Sequence, residues 1–170
     1  ARERGTTEPF TEKLNSERTH NVTVRCRMNG SDEFTVSSNL SFSSSNWYTT
    51  QTVTLTGVND NVSDDNQTST LTLSSSSSDS KYSGLSANLT VTTTDNDTVG
   101  LILSKTTATV SENGSVSDNF SVSLRSQPTY NVTLTLSDND STEVLASPTS
   151  LTFSSGNWST SQLIMLTGRD

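Results

Sequence analysis

Two kinds of side chain recur in this chain at spacings that carry chemistry, acidic residues and asparagines. The acidic residues gather in GVNDNVSDDNQ (57–67), TTDNDT (93–98), VSENG (110–114) and LSDNDS (136–141). Carboxylates and amide oxygens converging from several loops make the hard-oxygen environment that Ca2+ takes, with about six to eight ligands at about 2.3–2.6 Å. Asp and Asn are also good turn residues, and the spacing fits no fixed loop such as the EF-hand. On the residues alone both readings stay open. Asp95 and Asp97 stand just before an apolar stretch at 99–104, where a bound cation would stiffen a joint.

Twelve of the fifteen asparagines begin N-x-[ST]. With Ser and Thr at about 37% of residues, chance would supply about five or six. Asn21, Asn39, Asn88, Asn119 and Asn131 are each followed by an apolar residue, so strand alternation alone can spell them. Asn29, Asn113 and Asn157 have no such explanation, and N-linked glycosylation of a secreted or cell-surface protein accounts for the excess better. At Asn61, Asn66, Asn96 and Asn139 the two ideas compete, because an asparagine wrapped into a cation site or tight joint is a poor place for a glycan.

Other chemistries are not assembled. His20 is the only histidine, and its position in the repeat described below is taken by Tyr130, so an aromatic ring and not a base is wanted there. A serine triad needs a positioned base and a catalytic zinc needs three protein ligands, so no enzyme is expected. A net charge of −8 argues against nucleic acid. No apolar run approaches the roughly 20 residues that span a bilayer. Cys26, the single cysteine, is in phase with Val22 and Val24 and reads as a small buried apolar residue, with an intermolecular disulfide or a reactive thiol as the alternative.

The elements that hold these residues are strands. Leu, Ile, Val and Phe make up only about a fifth of the chain, near the level where disorder is the default. Their order decides otherwise: VTLTLS (132–137), FSVSLR (120–125) and TVTLTG (52–57) alternate with period two, the mark of half-buried strands. The chain is therefore expected to be all-β.

It is also a repeat. NLSFSSSNWYTTQTVTLTGVN (39–59) returns as SLTFSSGNWSTSQLIMLTGRD (150–170), with Leu40, Phe42, Asn46, Trp47, Leu55 and Gly57 recurring 111 positions later. Upstream the offset is 110, matching Phe10, Leu14, Asn21 and Val22 to Phe120, Leu124, Asn131 and Val132. A period of about 110 residues suits tandem immunoglobulin-like β-sandwich domains. Strands are expected near 99–110, 119–125, 130–137, 150–153 and 161–167, with the cycle completed by segments like 68–74 and 87–95.

The domains are then 1–97, which lacks the first strand, and 98–170, which lacks the last two. Open sheets of this kind need covering. Either a longer array continues the repeat or neighbouring copies complement each other's strands in a fibre.

The runs VSENG (110–114), SLTFSSGNWSTSQLIMLTG (150–168), NDNVSDDNQTSTLTL (59–73) and LTVTTTDND (89–97) resemble Calx-beta repeats and the related tandem sandwich repeats of large secreted adhesins and matrix proteins. The resemblance implies Ca2+ binding at Glu112, Asp60, Asp64, Asp65, Asp95 and Asp97. The Asn-Trp pairs (46–47 and 157–158) fit the adhesin-like subgroup. Trp47 and Trp158 read as caps over the core, with sugar stacking as the less favoured use. The function expected is a structural repeat of an extracellular, glycosylated filament or surface array, stiffened by calcium at its joints. The alternative is an adhesin arm gripping a glycan or protein on another surface.

Overall fold

In the computed structural model, residues 5, 7–29, 32–137 and 142–170 are described. They form β1 (Thr7–Glu12), β2 (Val22–Asn29), β3 (Phe34–Val36), β4 (Leu40–Phe42), β5 (Gln51–Gly57), β6 (Gln67–Ser77), β7 (Ser86–Thr93), β8 (Leu101–Leu103), β9 (Ser117–Leu124), β10 (Val132–Thr135), β11 (Val144–Ser147), β12 (Ser150–Phe153) and β13 (Gln162–Gly168). No helix occurs among the described residues, and every strand pairing is antiparallel. The chain is all-β.

It divides into two compact units, Ala1–Asp60 with Asp64–Asn96, and Asn61–Ser63 with Asp97–Asp170. In unit 1 a three-stranded sheet, β1-β5-β3, faces a four-stranded sheet, β4-β2-β6-β7. Alternation builds the interior: β5 buries Val53, Leu55 and Gly57 and turns Thr52, Thr54 and Thr56 outward. Leu71 and Leu73 of β6 and Val91 of β7 meet Phe34 and Leu55 of the opposite sheet. Val22, Leu40 and Phe42 close on Val53. This is a sandwich core: two sheets, each apolar on one face.

Unit 2 repeats part of that plan. Its four-stranded sheet, β11-β13-β9-β8, packs on a two-stranded one, β10-β12. Val122, Leu124 and Ile164 of the first sheet meet Leu151 and Phe153 of the second. The register makes the repeat explicit: Phe10 pairs with Val53 as Phe120 pairs with Ile164, and Val22 with Phe42 as Val132 with Phe153. The one-residue change of offset falls in the connection between β11 and β12, which contains the cis Ser147–Pro148 bond, against 37–39 in unit 1.

Two differences from the sequence reading have physical causes. The strand expected at 99–110 pairs only over Leu101–Leu103, because the Asp118 side chain takes the Thr109 N–H at 3.1 Å and ion-pairs with Lys105. The short strands β3 and β11 were not foreseen, so a full cycle has eight strands where seven were expected.

What each unit lacks is visible at its edges. Among the described residues unit 1 has no counterpart of β8, and β1 is an edge strand, carrying Pro9 opposite Thr54. Unit 2 has no counterparts of β6 and β7 among its described residues. Val132 is accordingly 38% exposed, whereas its equivalent Val22 is fully buried.

Candidate functional site

Of the six residues assigned to calcium, Asp60, Asp64, Asp65 and Asp95 belong to unit 1, and Asp97 and Glu112 to unit 2. The structure brings three of them together. Asp95 Oδ2 accepts the backbone N–H groups of Asp64 at 3.1 Å and Asp65 at 3.0 Å. Asp95 N donates to Asn66 Oδ1 at 3.0 Å, and Asn96 Nδ2 to Asn59 Oδ1 at 3.2 Å. Asp65 itself has φ 65°, a left-handed turn that Asp tolerates better than most residues. The acidic residues here thus fasten two loops by their own hydrogen bonds. Among the described residues no three Asp, Glu, His or Cys side chains form a group able to hold a metal ion. Glu112 sits exposed on the 110–114 turn.

The sequon asparagines divide by what their side chains do. Asn21, Asn29, Asn39, Asn61, Asn66, Asn88, Asn96, Asn113, Asn119 and Asn131 are exposed, and Asn139 lies outside the described residues. Asn39 accepts Cys26 N at 3.3 Å, Asn88 accepts Thr72 Oγ1 at 3.0 Å, and Asn113 accepts Ser115 N at 3.0 Å. All three use the side-chain oxygen. Asn29 donates its side-chain nitrogen to Thr72 Oγ1 at 3.2 Å.

Asn157 is half-buried and fully engaged. Its Oδ1 accepts Ser154 N at 2.5 Å and Ser154 Oγ at 3.1 Å, and its Nδ2 donates to Thr152 O at 3.3 Å. Asn46 makes the same bonds to Ser43 and Ser41, yet is followed by Trp47-Tyr48 and begins no sequon. The turn explains Asn157 without a glycan.

That turn is the common device of both units. The carbonyl of Trp47 accepts Leu14 N at 3.0 Å, and that of Trp158 accepts Leu124 N at 2.8 Å. Gln51 and Gln162 donate to Ser41 O and Thr152 O at 2.8 and 2.9 Å. The Asn-Trp motif therefore latches the β4–β5 or β12–β13 turn onto the strand end beside it. Trp158 packs against the core of unit 2, and Trp47 meets Tyr48 edge-on with ring centroids 5.6 Å apart.

His20 is exposed, its Nδ1 3.0 Å from Thr19 Oγ1. Thr19 Oγ1 donates to Asp79 Oδ2 at 2.9 Å, so its proton is directed away from the imidazole. That carboxyl is held below its ordinary range, first by the N–H of Lys81 and then by Thr19. The Cys26 thiol is pushed up, by burial first and then by the charge of Glu12. A thiol so placed is a weak nucleophile.

One groove of unit 1 was not legible as a site in the sequence. Beside the free edge of β1 lies a groove of about 930 Å3, with Glu12, Lys13 and Leu14 along one wall and Val22, Val24, Phe42 and Leu73 among its apolar lining. Unit 2 has a smaller groove of about 460 Å3, lined by Leu101, Leu124, Tyr130 and Val132 among others. The pointer to the first was the offset of 110, which places Leu14 where Leu124 stands beside β8. No protein-family model matches the chain, and comparison with curated proteins found no match.

Proposed function

We propose that this chain is a structural segment of an extracellular, N-glycosylated filament or cell-surface array, built from repeated Calx-beta-like sandwich units and not from a catalytic domain. The observation that carries the reading is the repeat itself: two copies of one sandwich plan, each with a sheet edge that no strand covers among the described residues. An uncovered edge invites pairing with another chain, and natural proteins normally block it. The surface supports the reading too. The outer positions of β6 and β7 are Ser, Thr and Asn, and ten of the sequon asparagines are exposed.

Calcium belongs to the proposal on its acidic pattern, and the stretches of unit 1 at 57–60, 64–67 and 93–96 are where it would act. Because Asp95 already fastens these loops, a cation there would act by neutralising crowded carboxylates. EDTA is then expected to lower the melting temperature of unit 1. An unchanged melt would remove calcium and leave the filament reading intact.

The decisive experiment is expression in a glycosylating host, followed by intact mass before and after glycosidase and by electron microscopy at rising protein concentration. Loss of mass and elongated assemblies are expected. A chain of unmodified mass that remains monomeric overturns the proposal.

A further inference from the structure

In unit 2 the edge of β9 is filled. β8 lies antiparallel to it with Leu101 opposite Leu124 and Leu103 opposite Val122. Arg125 N donates to Gly100 O at 2.9 Å and Ser104 N to Ser121 O at 3.0 Å. Lys105 completes the seat with its ion pair to Asp118. The equivalent edge of unit 1 belongs to β1, and among the described residues only β5 pairs with that strand. By the offset of 110, Leu14 stands for Leu124, Glu12 for Val122 and Glu8 for Asp118. The groove runs beside Glu12 and Leu14, with core residues in its lining. Both parts of the seat are therefore present, an apolar cleft for alternate side chains and a carboxylate for the lysine.

We propose that residues 99–109 of a second copy of this chain fill the edge, running antiparallel to β1 with Leu101 opposite Leu14, Leu103 opposite Glu12 and Lys105 at Glu8. The inference rests on the filament reading and names its contact. Burial drives the exchange. In its own unit β8 is three residues long, and Leu101, Ile102 and Leu103 are 44%, 48% and 46% exposed. A gap of about 210 Å3 is bounded by Leu103 and Lys105–Ala108 on one side and Phe120 and Leu166 on the other. The groove of unit 1 has behind it the four-stranded sheet β4-β2-β6-β7, whereas the equivalent sheet of unit 2 has two strands among the described residues, β10 and β12. An alternating strand laid there buries one row of side chains while its backbone completes a ladder. Donor and acceptor are different surfaces, so the contact is head-to-tail and propagates as an open chain.

Two single variants test this in the full-length chain, Glu12→Cys and Leu103→Cys, each in a Cys26→Ser background that removes the thiol beside Glu12. In the proposed register the two cysteines come within disulfide reach, a Cα separation of about 4.4–6.8 Å. Oxidising a mixture is expected to give a linked heterodimer that neither variant forms alone. Leu14→Cys with Leu101→Cys repeats the measurement at the neighbouring pair, in case either first substitution disturbs assembly. A synthetic peptide of residues 98–109 is expected to abolish the cross-link and shorten the assemblies, and the same peptide with Leu101→Asp and Leu103→Asp to do neither. Assemblies that form without either cross-link overturn strand exchange and leave the filament reading standing. A chain monomeric at every concentration overturns both.

Discussion

Gly168 closes β13 at a point where another stretch of backbone passes too near for any side chain. A Cβ placed there would lie 2.1 Å from Ser111 O, 2.7 Å from Ser111 C and 3.2 Å from Glu112 N. These neighbours are main-chain atoms, and the turn that carries them is tied down. Ser111 N donates to Val116 O, Gly114 N to Ser111 O, and Val116 N to Ser111 Oγ, at 3.0, 2.9 and 2.7 Å. Gly168→Ala must therefore move the 110–114 turn or bend β13. Forced overpacking of this kind costs about 1–3 kcal/mol. For a unit of this size that is a fall in melting temperature of roughly 4–8 °C per kcal/mol. Calorimetry should show the transition of unit 2 falling by about that amount while that of unit 1 stays in place. Gly156→Ala is the control, since its nearest non-neighbour atom is Ser154 Oγ at 3.9 Å, and it should stay within about 0.5 kcal/mol. If the two variants melt alike, the close approach is not what holds glycine at 168.

Two further outcomes follow from hydrogen bonds. Asn46→Ala and Asn157→Ala each remove three bonds from a latching turn and should cost about 1–3 kcal/mol in the affected unit. Glycopeptide mapping from a glycosylating host should find Asn157 bare and exposed sites such as Asn119 occupied. The carboxyl of Asp118 is held down to about 2, chiefly by its hydrogen bond from Lys105 and then by the N–H groups of Thr109 and Asn119. A group depressed on folding stabilises the folded state above its unfolded pKa, here 3.8, and that stabilisation is lost as pH falls toward about 2. Lys105→Ala should flatten the acid limb of the stability curve of unit 2 between these values, as followed by fluorescence during acid titration. An unchanged limb would show that the pair contributes nothing there.

Much of the fold was legible because alternation is a direct imprint of a half-buried strand. TVTLTG (52–57) and TSTLTL (68–73) became β5 and β6 with the apolar residues inward. The repeat carried further still, identifying Phe10, Val22 and Val53 of unit 1 as the equivalents of Phe120, Val132 and Ile164 of unit 2. Short strands escaped for the same physical reason: Phe34-Thr-Val36 and Val144-Leu-Ala-Ser147 are too brief to show a period. The length of β8 was overread because nothing in the sequence shows Asp118 taking the Thr109 amide.

The candidate sites were less legible than the fold. The acidic stretches of unit 1 fall on loops that hydrogen-bond to each other, but a sequence does not reveal that Asp95 spends an oxygen on the amides of Asp64 and Asp65. At Asn157 the signal was available in the repeat, since Asn46 occupies the same place without a sequon. The groove was invisible as a motif, because it is a property of two sheets and an edge and not of any run of residues.

Pro9 has a consequence for how far that edge can be extended. In β1 it stands where unit 2 has Asn119, and neither residue offers an N–H to a strand arriving from outside. Proline has none, and Asn119 N is turned to Asp118 Oδ1 at 2.7 Å. Proline is tolerated on a strand edge for just this reason. In both units, by different chemistry, the same position is closed to incoming pairing, while the equivalents of 11–15, residues 121–125, are the ones that β8 pairs with in unit 2. A strand that arrives can pair over a few residues and cannot slide on toward Thr7. The edge thus limits the length of any segment that could pair there, which distinguishes it from exposed strands open to unlimited zippering.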